Sequence, residues 1–487
     1  MNNDIQNLQP QCIWKNFYAL TQVPRPSGHL EKIQQFLLEF GKQAGVEAFK
    51  DPAGNIVFRK PATAGMENRK GIILQAHMDM VPQKTPESTH NFETDPIEPW
   101  IDGEWVKAKG TTLGADNGLG VASIMAIMEA KDLQHGPIDA LITADEETGM
   151  YGANDLPEGE LQGDILLNLD SEDDGEIFVG CAGGIDTTAD FTYKRSYTPE
   201  NFEYMKVSVT GLSGGHSGSD INLGRANANK VIARFIWECS KQWDIIVCSI
   251  EGGNLRNAIP REAYAVFGVH SDHKEELKRK LKKYYQDILE EYKGVEPSMD
   301  LRVEKTERPE YCIDSETSIA LIRAIYSAPH GVISMSRDIE GLVETSTNLA
   351  AVKVIDEKTI RITTSQRSSV ESRKNDIAGQ VEAHFELAGA KVYHSDGYPG
   401  WAPNMDSKIM KITADAYEEL FGVKPAIKAI HAGLECGLFL DKFPHLDMVS
   451  FGPTMTGVHS PDEQLLIPTV DKFWRHLCRV LEKVAES

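Results

Sequence analysis

Long apolar segments are missing from this chain of 487 residues, and their absence excludes whole classes of protein. A helix that crosses a membrane needs about 20 mostly apolar residues, and the sequence contains no such run. The first residues, MNNDIQNLQPQ, lack the basic and apolar regions of a signal peptide. We therefore expect neither a membrane span nor a signal peptide, and no membrane partner.

Cysteine is also scarce, and basic residues are fewer than acidic ones. The seven cysteines are scattered and show no Cys-x-x-Cys spacing, so neither a disulfide framework nor a structural zinc site is expected. Reduced thiols are typical of the cytosol, and we predict a cytoplasmic location. Lys and Arg number 50 against 73 Asp and Glu, a formal net charge of −23. Nucleic acids bind basic surfaces, so we expect this acidic chain to have no nucleic-acid partner.

What the sequence does contain is a set of acidic and histidine side chains close to short apolar runs. Such runs predict buried β-strands, and open α/β sheets build their sites at the carboxyl ends of strands. Two His, several Asp or Glu and a spare adjacent Glu are typical of a two-metal hydrolytic site. Five strings carry these residues, and four of them follow or close an apolar run: LQAHMD (74–79), TLGADNG (112–118), ITADEE (142–147), LNLD (167–170) and TGVHS (456–460).

Taken singly, each string has a simpler interpretation. Asp116 precedes an apolar helix and can be its N-cap, and Asp170 can form an Asx turn. Glu146 and Glu147 can be a solvated strand end, although adjacent strand residues point to opposite sides and one could bind metal while the other faces a water. The occurrence of all five strings together favours the metal site.

The order of predicted elements indicates the fold class. Strands alternate with helices in the first third, which predicts an α/β domain with a mainly parallel sheet and helices on both faces. The pattern then changes to two hairpin-plus-helix units, which predict an inserted α+β lid domain of two similar halves. The last segment returns to the first pattern and contains TGVHS. We therefore predict a catalytic metal-binding domain over residues 1–187 and 398–487, and a lid and substrate-recognition domain over residues 188–397.

The five strings, in this order, resemble the M20 metallopeptidases, a family of di-zinc amino- and carboxypeptidases and deacylases. The resemblance covers the whole chain. Further strings resemble the aminoacyl-histidine dipeptidase branch of that family, also called Xaa-His dipeptidase: GLSGGHSG (211–218), GNLRNAIPREA (253–263), GLVETSTNLA (341–350), TSQRSS (364–369) and HAGLECG (431–437).

This resemblance implies two Zn²⁺ per chain, with Co²⁺ or Mn²⁺ as possible substitutes. Asp116 would bridge the two ions and be followed by a cis peptide bond to Asn117. Asp79 would orient His77, and Glu146 would be the general base for a hydroxide shared by the metals. The implied metal ligands are His77, Asp116, Glu147, Asp170 and His459.

The resemblance also implies residues that bind the substrate. His216 would donate a hydrogen bond to the oxyanion, and Arg367 would bind a free carboxylate, for which an Arg fork is suited. Without the resemblance, His216 would be a turn histidine among glycines and Arg367 a surface charge on a strand. The implied substrate-binding residues are His216, Asn257, Arg367, Gly433 and Glu435.

The implied function is hydrolysis of small peptides, namely Xaa-His dipeptides, by a monomer or homodimer. A tripeptidase or N-acyl amino acid deacylase with the same metals is an alternative within the family. A zinc-binding scaffold without activity is an alternative of another class, and the presence of Glu146 argues against it.

Overall fold

The computed structural model describes residues 4–486, which form two compact units. The first unit comprises the chain up to Gly180, Trp401–Ala429 and the chain from Leu434 onwards. The second unit comprises Cys181–Gly400 and Ile430–Gly433. We predicted the first boundary at residue 187, but the division falls after Gly180. The strand Gly183–Thr192 belongs to the second unit because it pairs along its whole length with Thr359–Ser368. The assignment of these units as catalytic and lid domains stays a prediction.

A sheet of eight strands lies at the centre of the first unit. Its strands are, in spatial order, Glu47–Lys50, Ile56–Lys60, Ile138–Thr143, Ile72–His77, Ile165–Asn168, Asp447–Ser450, Glu176–Cys181 and Ala426–Ile430. A smaller sheet contains Met455–Thr456, Gln464–Leu466, Trp105–Ala108 and Pro99–Asp102. The helices of this unit are Ile5–Asn7 (a 3-10 turn), Gln11–Thr21, Glu31–Ala44, Ala115–Glu129, Glu146–Gly149, Tyr151–Asn154, Lys408–Phe421, Glu435–Lys442 and Ile467–Glu486.

The predicted α/β class is confirmed, but the large sheet is mixed rather than mainly parallel. Its four central strands run parallel, from Ile138–Thr143 to Asp447–Ser450. The strands flanking these four are antiparallel to their central neighbours. The turn at residues 51–55 joins two neighbouring strands directly, and such a short connection permits only antiparallel pairing.

The helix Ala115–Glu129 is buried almost throughout, which explains why its sequence is apolar on all sides. By contrast, Ile467–Glu486 is amphipathic: Phe473, Leu477 and Val480 lie on its buried face. No helix between residues 4 and 486 is long and apolar enough to cross a membrane. Cys12, Cys239, Cys248, Cys312 and Cys478 form no disulfide bond within the described residues.

The second unit is built on an antiparallel sheet. Its strands are, in spatial order, Asp300–Lys305, Phe202–Thr210, Ala263–His270, Ile245–Gly252, Val343–Asp356, Thr359–Ser368, Gly183–Thr192 and Lys391–His394, with Gly331–Met335 also paired to Val343–Asp356. Two small pairs are Arg195–Tyr197 with Tyr311–Ile313 and Gly215–His216 with Ala258–Ile259. The helices are Ile221–Leu223 and Ser271–His273 (both 3-10), Ala228–Ser240, Lys274–Glu291, Ser315–Ser327 and Glu371–Leu387.

The second unit contains two antiparallel strand pairs that are each followed by a helix. Ile245–Gly252 pairs with Ala263–His270 before the helix Lys274–Glu291. Val343–Asp356 pairs with Thr359–Ser368 before the helix Glu371–Leu387. A core rich in phenylalanine lies between the helices and the sheet, and it includes Phe191, Phe235, Phe267 and Phe385.

Candidate metal centre

Three parallel strands of the first unit deliver acidic and histidine side chains to one edge of the sheet. His77 closes its strand, and Asp79 follows it. Asp170 comes two residues after Ile165–Asn168. Glu146 and Glu147 differ from the prediction, because the preceding strand ends at Thr143 and the two acids begin the one-turn helix Glu146–Gly149.

Asp116 contacts a different histidine with each of its carboxylate oxygens. His77 Nε2 lies 3.0 Å from Asp116 Oδ1 and 3.4 Å from Asp170 Oδ1. His459 Nε2 lies 3.1 Å from Asp116 Oδ2 and 3.0 Å from Glu147 Oε2. Two groups of possible ligand atoms therefore share Asp116, and within each group the atoms are no more than 4.8 Å apart.

The backbone around Asp116 has the predicted local form. The peptide bond between Asp116 and Asn117 is cis. The side-chain amide of Asn117 donates a hydrogen bond to Asp170 Oδ1. The residue that follows the proposed bridge therefore holds another proposed ligand in place.

Asp79 binds both His77 and the segment that carries the acidic pair. His77 Nδ1 lies 3.4 Å from Asp79 Oδ1 and 3.2 Å from the Asp79 carbonyl oxygen. The Asp79 carboxylate also accepts the backbone N–H groups of Glu146 and Glu147, at 3.1 and 3.3 Å, and the hydroxyl of Ser27 at 2.8 Å. A carboxylate behind a ligand histidine fixes the orientation of its ring.

The site concentrates negative charge, and the pKa values respond to it. Burial alone would lower the pKa of His77, but Asp170 and Asp116 outweigh it and raise that pKa well above its usual range. Hydrogen bonds to Asp116 and Glu147 raise the pKa of His459 to about 11. Burial raises the pKa of Asp170 to about 6. His77, His459 and the buried Arg25 are cationic groups that offset part of this negative charge.

The residues fit divalent cations. Glu147 Oε1 is buried and has no hydrogen-bond partner, although Oε2 contacts His459. An uncompensated carboxylate oxygen in the interior is costly unless a cation binds it. Imidazole and carboxylate ligands suit Zn²⁺, Mn²⁺ and Co²⁺. His77 with Asp170 and Glu147 with His459 would supply the separate ligands, and Asp116 would contribute one oxygen to each ion.

In the second unit, His216 is held in one tautomer. Its Nδ1 accepts the backbone N–H groups of Gly218 and Ser219, both at 3.2 Å. A neutral imidazole whose Nδ1 accepts hydrogen bonds carries its proton on Nε2. Burial and the nearby Arg367 lower the pKa of His216, which favours this neutral form. His216 therefore presents an N–H donor on Nε2.

Arg367 is a buried cation, 6% exposed, beside His216 in the second unit. Its Nη1 donates to the hydroxyl of Tyr398 at 2.8 Å, and its Nε donates to Ser217 Oγ at 3.4 Å. No acid forms an ion pair with it in the part of the chain that the structure describes. A buried guanidinium with neutral partners is suited to an anionic ligand.

Asn257 and Gly433 lie close to these residues, whereas Glu435 is in the other unit. The Asn257 carbonyl accepts the N–H of Ser217 at 2.8 Å. A Cβ on Gly433 would come within 2.9 Å of the Tyr398 ring. Glu435 is 1% exposed, and its Oε2 accepts from Gln75 at 2.6 Å and Thr143 at 2.8 Å. The predicted contact of Glu435 with a substrate amino group stays a prediction.

Tyr398, which no sequence pattern indicates, accepts a hydrogen bond from Arg367. Its ring lies against Gly184 and Gly433, where a side chain would collide with it, and its carbonyl accepts from Lys374 Nζ at 2.8 Å. The string GYPG at 397–400 predicts no more than a turn. The role of this tyrosine becomes visible only through contacts that are distant in sequence.

Residues 73–483 match the family model described as Peptidase family M20/M25/M40. The chain belongs to this peptidase family. The M20 match spans both units and all five strings that carry the candidate metal ligands, so the predicted family is confirmed.

Two M20 relatives are similar over nearly the whole chain. The Cytosol non-specific dipeptidase of Escherichia coli (strain K12) is 43% identical over 482 residues, which cover 99% of this chain and 99% of that protein. The solved structure of Aminoacylhistidine Dipeptidase from Vibrio alginolyticus is 44% identical, with a TM-score of 0.92 and coverage of 99% of this chain and 98% of that one. The resemblance to the aminoacyl-histidine dipeptidase branch is confirmed by these similarities.

A more distant structure shares the fold alone. A tripeptidase from Staphylococcus aureus has a TM-score of 0.58 at 16% identity, and the match covers 99% of this chain and 100% of that chain. The fold is thus shared with a protein whose sequence differs widely from this one.

Proposed function

We propose that this M20 protein is a metal-dependent dipeptidase that holds two Zn²⁺ per chain, with Co²⁺ or Mn²⁺ as possible substitutes. The observation that carries the proposal is the sharing of Asp116 between two groups of ligand atoms, one with His77 and Asp170 and one with Glu147 and His459. Two adjacent divalent cations polarise a carbonyl group and lower the pKa of a water molecule.

Glu146 moves the proton in the proposed reaction. It follows Asp145 on the short helix whose backbone is fixed by Asp79, so its carboxylate is held beside the metal ligands. As the general base it takes a proton from the attacking water. The same carboxylate then delivers this proton to the leaving amine, acting as base and then as acid.

The proposed substrate contacts come from the second unit. Arg367 binds the free carboxylate of the dipeptide, because it is a buried cation without an acidic partner. His216 donates from Nε2 to the oxyanion that forms on the scissile carbonyl, and loss of such a donor typically costs about 100–1,000-fold in rate. Asn257 and Gly433 contribute to the same binding region.

The substrate class and the location are inferred from similarity. Both near relatives are dipeptidases by name, but one name specifies an aminoacyl-histidine substrate and the other states a lack of specificity. We propose Xaa-His dipeptides as substrates within a broader range. The E. coli relative is cytosolic by name, which supports a cytoplasmic location for this protein.

Hydrolysis assays test the proposal directly. The purified protein is incubated with Ala-His, Ala-Ala, Gly-Gly-Gly and an N-acetyl amino acid, with and without a chelator, and then with Zn²⁺, Mn²⁺ or Co²⁺ restored. We expect chelator-sensitive cleavage of the dipeptides. Faster cleavage of the tripeptide or the acetyl amino acid would instead indicate a tripeptidase or deacylase. No cleavage of any substrate by metal-loaded protein would refute the enzyme function.

A further inference from the structure

The loop that carries Asp116 is held by a buried glutamate from the last part of the chain. Glu463 is 2% exposed. Its Oε2 accepts the backbone N–H groups of Leu113 and Gly114 at 2.7 and 2.9 Å. Its Oε1 accepts those of Ala115 and Asp116 at 2.7 and 3.2 Å. One carboxylate therefore binds four consecutive amides. The last of them belongs to Asp116, the residue that contacts both histidines.

The same loop is held on its carbonyl side by a buried arginine. Arg25 is 2% exposed, and its Nη2 donates to the carbonyl of Gly114. Its Nη1 donates to the carbonyls of Met78 and Asp79, both at 3.0 Å. Because these residues directly follow His77, one guanidinium connects the segment of His77 to the segment of Asp116.

Glycine is required where Arg25 meets the loop. Gly114 has a φ of +71°, and a Cβ there would come within 2.6 Å of Arg25 Nη2. A Cβ on Gly118 would come within 2.5 Å of the same atom. The backbone of Arg25 is fixed as well, since its carbonyl accepts the N–H of Met80 at 3.1 Å. The guanidinium has a defined place between the two segments.

We propose that Arg25 and Glu463 are positioning residues that set the distance between His77 and Asp116 for metal binding, without touching metal or substrate themselves. This inference rests on the proposed metal-binding function. Neither residue supplies an atom to the groups of possible ligands. Their hydrogen bonds go to backbone groups of residues 113–116 and of residues 78–79, which adjoin His77. Loss of a partner behind a metal ligand typically costs about 10–100-fold in metal affinity.

Glu463→Gln is the first variant, because the amide keeps the shape of the carboxylate and changes only its hydrogen bonding and charge. One end of the new side chain is an NH₂ group, which cannot accept the two backbone N–H groups that face it. Arg25→Lys is the second variant. It keeps the positive charge, but one ammonium group cannot reproduce the planar fork that spans three carbonyls on two segments.

The chain offers a matched control in its second unit. Glu296 is also a buried glutamate, 3% exposed, whose oxygens accept the backbone N–H groups of Ser213 and Ala226 at 2.6 and 2.9 Å. Glu296→Gln makes the same chemical change in a comparable setting, away from the metal ligands in sequence and in the other unit. It controls for the general cost of removing a buried carboxylate that binds amides.

The experiment is a titration of the apoproteins with Co²⁺ alone, followed by the visible absorption of the bound ion and accompanied by thermal unfolding. We expect Glu463→Gln and Arg25→Lys to bind Co²⁺ about 10–100-fold more weakly than the wild type, with altered absorption bands. Glu296→Gln should keep the wild-type affinity, even where its melting temperature falls. If one variant did not fold, the other would still give the result.

The outcomes separate this inference from the proposed function. Wild-type affinity and absorption in both variants, with or without lower melting temperatures, would show a purely structural role and overturn the inference while leaving the metal site intact. An equal loss of affinity in Glu296→Gln would also overturn it, because the effect would then be general. Failure of the wild-type apoprotein to bind Co²⁺ would overturn both the inference and the proposed function.

Discussion

At the scale of single residues, we propose different roles for the adjacent acids Glu146 and Glu147. Glu147 contacts His459 and belongs to a group of possible ligands shared with Asp116. Its neighbour Glu146 donates its backbone N–H to Asp79, and we assign its carboxylate to proton transfer. The two acids lie on a one-turn helix rather than on a strand end. Their separation of roles can be tested by changing one of them at a time.

Glu146→Gln should bind the same amount of metal as the wild type and lose most of its turnover. An amide of the same shape cannot accept the proton, and general base catalysis typically contributes about 100–10,000-fold. Metal analysis and kcat for Ala-His measure the two effects. Glu158→Gln, an exposed glutamate of the same unit, is the control and should behave as wild type. Turnover near that of the wild type in Glu146→Gln would contradict the assigned role.

Tyr398→Phe should raise KM for dipeptides with little change in kcat or metal content. The substitution removes the hydroxyl that accepts from Arg367, so the guanidinium loses a fixed orientation. A hydrogen bond to a charged group contributes about 1.5–3 kcal/mol, which corresponds to about 10–100-fold in KM. The exposed Tyr197 provides the control variant Tyr197→Phe.

Amidated dipeptides add a second comparison for Arg367. With the substrate carboxylate removed, wild type and Tyr398→Phe should become equally poor enzymes. A difference between the two proteins that persists on amidated substrates would mean that Tyr398 acts on something other than carboxylate binding.

At the scale of elements, the helix Ile467–Glu486 is joined to Lys408–Phe421 through a buried histidine. His476 is 3% exposed, and its Nε2 donates to the carbonyl of Thr413 at 2.8 Å. Burial lowers the pKa of His476 to about 4, whereas an unfolded histidine has a pKa of about 6.5. The folded state therefore disfavours the charged form of this side chain.

The sign of the pH dependence follows from these two values. Below pH 6.5 the unfolded chain binds a proton that the folded protein excludes, so stability falls as the pH is lowered towards 4. The contribution of His476 is fully present above pH 6.5, and up to about 3 kcal/mol is lost across that interval. Urea unfolding at several pH values should show a smaller acid-induced loss in His476→Gln than in the wild type. His445→Gln, at an exposed position of the same unit, should retain the wild-type slope.

Some helices and strands could be predicted from the sequence, and others could not. The central strands and the helix after Asp116 could be predicted because each is a local apolar run with a polar end. The antiparallel flanks of the large sheet could not, because strand direction depends on neighbours that are far apart in the chain. The placement of Glu146 and Glu147 failed for a local reason, since Asp145 adopts a φ of 50° and turns the chain into a helix.

The candidate site was predictable to the extent that its residues share a sequence pattern. The five ligand positions could be proposed because each belongs to a recognisable string. Arg25, Tyr398 and Glu463 act through backbone or hydroxyl partners, and no pattern at their own positions indicates this. Glu463, for example, accepts from an amide 350 residues earlier in the chain.

At the scale of the whole molecule, metal should stabilise the first unit and leave the second unchanged. The acids around His77 and His459 repel one another without cations, and all five candidate ligands belong to the first unit. A site held at 100-fold above its Kd contributes about 2.7 kcal/mol of stability. Chelation should therefore lower the melting temperature, and Zn²⁺ should restore it.

Hydrogen exchange measured by mass spectrometry can localise that effect. Chelation should increase exchange at residues 113–118 and 144–150 and leave exchange at residues 343–368 unchanged. Equal increases in both units, or no change in either, would contradict a metal site confined to the first unit.

The position of one strand has a consequence for biosynthesis. Asp447–Ser450 lies inside the large sheet, between Ile165–Asn168 and Glu176–Cys181. The ribosome makes its two neighbours before the second unit, but this strand, His459 and Glu463 are made after it. Domains fold as units when their chain is available, so the nascent protein can complete nearly all of its second unit first. Because His459 is one of the candidate ligands, we expect metal loading to follow the synthesis of this last segment.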